Sequence, residues 1–237
     1  MKKSERLWSK AYTYLRKRIQ SLQAGENRLE SEEELAQRLS ISRATVREAT
    51  QVLAREGYLT RWHGKGIFAH PSVDNLRHRM DLTTDFLRLL DTGEGTVHCQ
   101  TLRSGFGPCN PAMRKRFPRT CESVYEQEWL YQVDDIPMIF CKVAIPADLL
   151  QNTPELPTPG QSLAAWVAYY CGRDFAYYAT HLGCQSDPGA NWALHIPPET
   201  VVQNWQEVLY DLTDTPVAFC DVFFHPEHVD LSMVLRP

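Results

Sequence analysis

With 237 residues, the chain is long for one domain and comfortable for two. Hydrophobic residues make up 43% and charged residues 23%, the balance of an ordinary soluble globular protein; no apolar run is long enough to span a bilayer. The formal charge of -4 divides into +6 over residues 1–71 (14 Lys/Arg against 8 Asp/Glu) and -10 over residues 72–237 (11 against 21), and a basic head of that kind suits a polyanionic partner.

Trp8, Tyr12, Leu15, Ile19 and Leu22 recur at helical spacing and predict an amphipathic helix over residues 7–20, with Arg16, Lys17 and Arg18 outward and a break at Gly25. Ser31-Glu32-Glu33-Glu34 is a capping box whose acids also suit the positive end of a helix, so a second, short helix follows and buries Leu35 and Leu39. A tight connection leads to a third. Ser42 is a good N-cap, because its hydroxyl accepts a bond from an otherwise unpaired backbone N–H, and Ile41 with Val46 forms a hydrophobic staple. Val46, Ala49 and Leu53 make one buried stripe. Arg43 and Arg47, four apart, project from another face near the helix start, where a recognition helix presents side chains to the DNA major groove. Arginine there binds guanine bidentately or clamps phosphate. Gly57 ends the helix. Residues 58–61 and 67–69 then read as short strands around His63-Gly64-Lys65-Gly66, whose glycines supply the positive φ of a hairpin and let the backbone approach a phosphate. Three helices and a basic-tipped hairpin make a winged helix-turn-helix over residues 1–70, with a polar linker over residues 71–80.

At this point the chain resembles a known family. Leu29-x-Ser31-Glu32-x-x-Leu35-Ala36, Ser42-Arg43-x-Thr45-Val46-Arg47-x-Ala49, Leu53, Gly57 and Gly64-x-Gly66-x-Phe68 look like the N-terminal domain of GntR-type bacterial transcription regulators. The resemblance implies that Arg43 and Arg47 read bases, that Ser42 and Thr45 hold phosphates, and that the wing of His63, Gly64, Lys65 and Gly66 enters the minor groove. Ser31 and Ala44 complete the DNA-facing set. Two positions depart from the pattern: Glu30 stands where proline is usual and Glu33 where arginine is frequent. Losing that arginine removes an expected DNA contact, which Lys65 partly offsets.

In residues 81–237, a helix is expected over residues 82–90, stopped at Gly93, and another over residues 162–170, ending at Gly172 with Leu163, Trp166, Val167 and Tyr170 on one face. Residues 105–120 give little periodic signal. An internal repeat is the best clue. Residues 127–143 align without gaps on residues 206–222, offset by 79, with nine of 17 positions identical. Each copy reads as strand, Asp-containing turn, Pro, strand, so two similar hairpins related by an approximate twofold are expected in one sheet. With a helix between the copies and a terminal strand near residues 231–235, the layout resembles the UTRA effector domain of the HutC branch, whose fold resembles that of chorismate lyase. The expected class is therefore α+β, a winged helix-turn-helix followed by a mixed α/β effector-binding and dimerisation domain.

Sugar-phosphate-sensing members of that branch commonly place arginines where this chain has Trp129 and Tyr131, and acids where it has Cys141 and Ala218. By strand alternation Ile139, Cys141 and Val143 share one face, as do Ala218, Cys220 and Val222. If that face lines the pocket, it is apolar with an aromatic wall and suits an effector of apolar, aromatic or cationic character; the alternative is that these aromatics are core. Thr83, Thr84, Ser162 and Tyr178 match other pocket positions of the family.

The functional reading is a cytoplasmic, ligand-responsive transcription regulator of the repressor type, binding a palindromic operator as a homodimer. No cofactor is expected, and no enzyme: no catalytic constellation is supported by spacing. Seven cysteines, odd in number and never in a C-x-x-C pair, suit reduced thiols, and His225 and His228 lack nearby cysteine partners for a metal. The alternatives are a lyase-like enzyme and a redox sensor built on Cys141 and Cys220.

Overall fold

A computed structural model describes residues 2–22, 25–117, 121–158 and 160–236. The chain divides into two compact units, Met1–Leu82 with Leu231–Pro237, and Thr83–Asp230.

The first unit contains α1 (Lys2–Gln20), β1 (Arg28–Leu29), α2 (Glu32–Leu39), α3 (Arg43–Arg55), β2 (Leu59–Trp62) and β3 (Gly66–Ala69). Its core is the one the apolar spacing predicts: Leu15 and Ile19 of α1, Leu35 of α2, and Val46, Ala49 and Leu53 of α3 are fully buried. Each large aliphatic side chain so placed contributes about 1.5–3 kcal/mol. Both caps form. Ser31 Oγ accepts from the Glu34 N–H at 3.2 Å while Glu34 accepts from the Ser31 N–H at 2.7 Å, and Ser42 Oγ accepts from the Thr45 N–H at 3.1 Å. The hairpin gains a third strand that local patterning did not reveal, since β1 is two residues long and pairs with β3 in the order β1-β3-β2.

The segment expected as a linker packs into this unit. After a 3-10 turn at Pro71–Asn75, His78 and Arg79 are buried, and Arg79 donates through Nη1 to the Glu56 carbonyl at 2.7 Å, just beyond α3. The C-terminal segment lies here too. The Met80 N–H donates to the Ser232 carbonyl at 3.0 Å, the Ser232 N–H donates to the His78 carbonyl at 3.2 Å, and Val234 packs on the core beside Gly57. No sheet strand forms at residues 231–235; Ser232 instead makes one parallel bridge to Arg79.

The second unit runs α4 (Phe86–Leu90), β4 (Val97–Pro108), α5 (Pro111–Arg116), β5 (Ser123–Val133), β6 (Ile136–Pro146), α6 (Leu163–Cys171), β7 (Phe175–Gln185), α7 (Pro188–Ala193), β8 (Val202–Asp211) and β9 (Pro216–Phe224). The helix expected over residues 82–90 is shorter. Thr83 Oγ1 accepts from the Asp85 N–H and Asp85 Oδ1 from the Leu87 N–H, so the helix starts only at Phe86. Residues 105–117 hold the end of β4 and α5, while residues 118–120 of that stretch lie outside the described residues. The six strands form one antiparallel sheet, β4-β5-β6-β9-β8-β7.

The duplication reaches beyond the two hairpins. The order helix, strand, helix, strand, strand occurs twice, and the N-caps of α4 and α6 (Asp85, Ser162) stand as far apart in sequence as those of α5 and α7 (Asn110, Asp187). The two copies meet at β6 and β9. Cys141 pairs with Val222, Lys142 with Asp221, and Val143 with Cys220, so the approximate axis passes through the Lys142–Asp221 pair. Phe86 of α4 packs against Tyr131, Trp205 and Phe224, and Trp166 of α6 against Trp129. Met113 of α5 and Ala190 and Ala193 of α7 join clusters with Val124, Ala144 and Phe219 and with Leu130, Phe140 and Phe223 on the opposite face.

One departure from the repeat matters. Glu128 pairs with Lys142, yet its sequence counterpart Glu207 pairs with Cys220 rather than with Asp221. β8 is slipped by one residue relative to β5, and a slip of one turns every side chain to the other face. Gln127, Trp129 and Tyr131 therefore share the α4/α6 face with Trp205, Glu207 and Leu209.

Candidate functional site

On the first unit the start of α2, the start of α3 and the wing converge on a cleft of about 690 Å³ lined by Ser31, Glu32, Glu33, Arg43, Arg47, Arg61, Trp62, His63, Gly64, Gly66 and Ile67. It gathers Ser31, Arg43, Arg47, His63, Gly64 and Gly66 of the expected DNA-facing set. The Arg43 and Arg47 side chains are 62% and 50% exposed, so neither guanidinium turns into the core. Glu32 organises them. Its carboxylate accepts from Arg47 Nε at 3.2 Å and from Arg61 Nη2 at 2.6 Å, with Arg43 Nε 3.6 Å away. Three guanidiniums around one carboxylate leave two net positive charges and fixed rotamers. Glu32 and Arg61 were not singled out from sequence; the cue was the first-turn acid inside the capping box, but its partner Arg61 arrives from a strand.

Ala44 is exposed and Thr45 half-buried in the first turn of α3, with the Ser42 and Thr45 hydroxyls bonded to each other at 2.8 Å. The N-terminal ends of α2 and α3, each capped by serine, carry free N–H groups and partial positive charge suited to phosphate oxygens. At the wing tip, Gly64 and Gly66 have φ of +74° and +117°, a region that only glycine enters cheaply. Lys65 lies outside the cleft lining with Nζ 4.2 Å from the centre of the half-exposed Trp62 ring. The surface can bind a polyanion through cations on a helix, a strand and a hairpin tip.

On the second unit a small cavity of about 30 Å³, room for one water, lies where the starts of α4 and α6 meet the sheet. Thr84, Asp85 and Phe86 line it from one helix start, Ser162, Leu163 and Ala164 from the other, and Tyr178 and Glu207 from β7 and β8. Of the expected effector residues, Thr84, Ser162 and Tyr178 come together here. Thr83, Trp129, Tyr131, Cys141, Ala218 and Cys220 are not in the lining. The last five are at most 1% exposed and belong to the packed floor of the sheet, where Phe86 of α4 lies on Tyr131 and Trp166 of α6 on Trp129.

Glu207 is the residue that sequence reasoning missed. It was not singled out from sequence; equal register in the two hairpins would set it, like its counterpart Glu128, on the opposite face, and the one-residue slip of β8 brings it into the cavity. It is 2% exposed, and Thr180 Oγ1 donates to its Oε1 at 3.2 Å. Burial pushes its carboxyl up to about 7, opposed by that hydroxyl. Burial likewise raises the Tyr178 phenol, against a bond with Thr84, and lifts the Cys141 thiol well above its ordinary value. A thiol so held is a small hydrophobe, not a nucleophile. Among the described residues no group of three or more His, Cys, Asp or Glu side chains could hold a metal ion, and no helix is long and apolar enough to cross a membrane.

Comparison with known proteins bears on both units. The family described as "Bacterial regulatory proteins, gntR family" matches residues 7–69. YurK of Bacillus subtilis strain 168, described as an uncharacterised HTH-type transcriptional regulator, is 28% identical over 138 residues, 57% of this chain and 56% of YurK, so the match spans about half of either protein. Among solved structures, that of YydK from Bacillus subtilis is similar with a TM-score of 0.69 at 13% identity, covering 100% of both chains. PhnF from Mycobacterium smegmatis gives a TM-score of 0.56 at 14% identity over 95% of this chain and 99% of that one. The separately solved effector domain of PhnF also gives 0.56, at 12% identity, over 64% of this chain and 94% of that domain. These identities carry fold and no more. Residues 7–69 thus match the gntR family of bacterial regulatory proteins as a helix-turn-helix domain, and the chain has the fold seen in YydK and PhnF.

Proposed function

We propose that the protein is a ligand-responsive transcription regulator of the HutC type, whose head binds operator DNA and whose sheet domain binds a small-molecule effector. The observation that carries this is the cleft in which Glu32 aligns Arg43, Arg47 and Arg61 beside two capped helix N-termini. That arrangement supplies base-reading arginines, phosphate donors and a wing within one surface. The effector site is the cavity between α4, α6 and the sheet, which corresponds in fold to the effector domain of PhnF. Two heads in a homodimer would read the halves of a palindrome, with repression lifted or imposed as effector changes operator affinity. Such coupling is reciprocal, so operator must change effector affinity by the same factor. Reading DNA in this way suits a cytoplasmic protein and calls for neither cofactor nor catalysis. A thiol-switch reading is disfavoured by the raised Cys141 thiol.

The test is fluorescence anisotropy of the full chain on the intergenic DNA beside its gene, with scrambled competitor. Sequence-specific binding that Arg47→Ala weakens and that a cavity ligand shifts supports the proposal. Equal affinity for scrambled DNA defeats it.

A further inference from the structure

Glu207 is an anomaly on a sheet face that is otherwise uncharged where it is covered. Its row across the sheet reads Gln127, Val143, Cys220, Glu207 and Thr180. A carboxylate removed from water needs a counter-charge or a full set of hydrogen bonds. Here the only hydrogen bond to it among the described residues comes from the Thr180 hydroxyl, and no Lys, Arg or His among them lies in ion-pair range. The carboxyl nevertheless lines a cavity, at whose far wall a second acid, Asp85, caps α4. The aromatic rings of Phe86 and Tyr178 complete the surroundings.

We infer that the effector carries a protonated amine, and that its N–H groups pair with the Glu207 carboxylate while the adjoining aromatic faces of Phe86 and Tyr178 pack on its carbon skeleton. The inference rests on the proposed effector role of this cavity and adds the chemical class. An organic cation is favoured over a metal ion because no group of three or more potential ligands exists among the described residues. It is favoured over an anion because the Glu207 carboxylate would repel one, while Asp85 shares its charge with Arg88 at 3.8 Å and the α6 N-terminus offers only its capped first turn. The charge of -10 over residues 72–237 draws cations toward this half of the chain. The cavity holds one water when closed, so binding requires the starts of α4 and α6 to part, and a small, compact amine fits best. Because Glu207 sits near its midpoint at neutral pH, binding a cation should release protons.

The experiment uses the full chain and three matched probe series at pH 7.5: straight-chain alkylamines, alcohols and carboxylates of equal length. Thermal shift and calorimetry in two buffers of different ionisation enthalpy are the readouts. Amines should raise the melting temperature and release protons, alcohols and carboxylates should do neither, and Glu207→Gln should weaken amine binding by roughly tenfold or more. Tyr178→Phe, which keeps the ring, should weaken it far less. The inference is overturned if no amine binds at its solubility limit, if alcohols or carboxylates bind as well as amines, or if E207Q, folded by circular dichroism, binds amines as wild type does. Operator affinity separates this from the reading beneath it. A carboxylate or alcohol that binds and shifts DNA affinity would leave the regulator standing and the amine refuted. An amine bound through Glu207 with no effect on DNA affinity would do the reverse.

Discussion

Arg47 of α3 and Arg61 of β2 are held by opposite oxygens of a single carboxylate, Glu32, at 3.2 Å and 2.6 Å. A helix and a strand are thereby joined in one surface, the proposed DNA-facing one. Glu32→Gln removes the charge that spaces three guanidiniums while keeping the helix start. The expected outcome is unchanged or stronger binding to random DNA, with the preference for operator over random DNA reduced about tenfold. Competition titrations measure the ratio; an unchanged ratio would show that Glu32 only stabilises α2.

Arg47→Ala should cost roughly 1–3 kcal/mol of operator affinity and relax specificity at the base it reads, whereas Lys65→Ala should weaken all DNA alike and lower the salt slope by about one. Anisotropy at several salt concentrations distinguishes the two patterns. Parallel salt slopes for wild type and K65A would remove Lys65 from the interface.

Gly57 has φ of +81°, and a Cβ there would stand 2.7 Å from Val234 Cγ1. Gly57→Ala should therefore destabilise the head by more than about 1 kcal/mol through both strain and clash. Adding Val234→Ala should recover the clash and leave the strain. Denaturant titration of the single and double variants is the check, and full recovery in the double variant would mean the backbone strain is negligible.

Burial lifts Glu207 from 4.5 to about 7. Between these values the folded chain keeps a proton that the unfolded chain has released, so stability falls as pH rises through this window and stays low above it. A gap of that size corresponds to roughly 3 kcal/mol. E207Q should melt well above wild type at pH 8 and close to it at pH 4.5. Melting curves that differ equally at both pH values would contradict a buried, unpaired carboxylate.

Cys184 is the exposed cysteine, whereas Cys141 and Cys220 are fully buried and Cys141 is raised well above its ordinary value. A thiol reagent should modify Cys184 rapidly and Cys141 and Cys220 only after unfolding, with DNA binding unaffected by the first event. Mass spectrometry of tryptic peptides assigns the sites.

The head was legible because its signals are local. Ser31 and Ser42 cap the helices they precede, and Val46, Ala49 and Leu53 fill the core their spacing announces. What escaped was long-range: the two-residue β1, which exists only through pairing with β3, and the meeting of Glu32 with Arg61. In the second domain, identity of nine in 17 positions exposed the two hairpins. The helices at residues 86–90 and 163–171 were expected, but their equivalence, and the pair α5 and α7, stayed hidden because the caps differ in residue type, Asp85 against Ser162 and Asn110 against Asp187. Glu207 was not legible from the repeat. Residue-for-residue alignment assumes equal strand register, and the extra residue between paired positions of the second hairpin inverts β8. Trp129 and Tyr131, which the resemblance to the HutC branch made a candidate pocket wall, pack against Trp166 and Phe86 respectively.

The bridge between Arg79 and Ser232, with Val234 seated on the head core, makes Thr83–Asp230 an insertion within the head's own chain path. A protease cut or stop codon at residue 82 would not liberate a finished first unit, since the last strip of its wall is translated only after the entire second unit. Nascent chains should accordingly acquire a fully settled head only once residues 231–236 have emerged, and removing those residues should loosen the first unit while sparing the second.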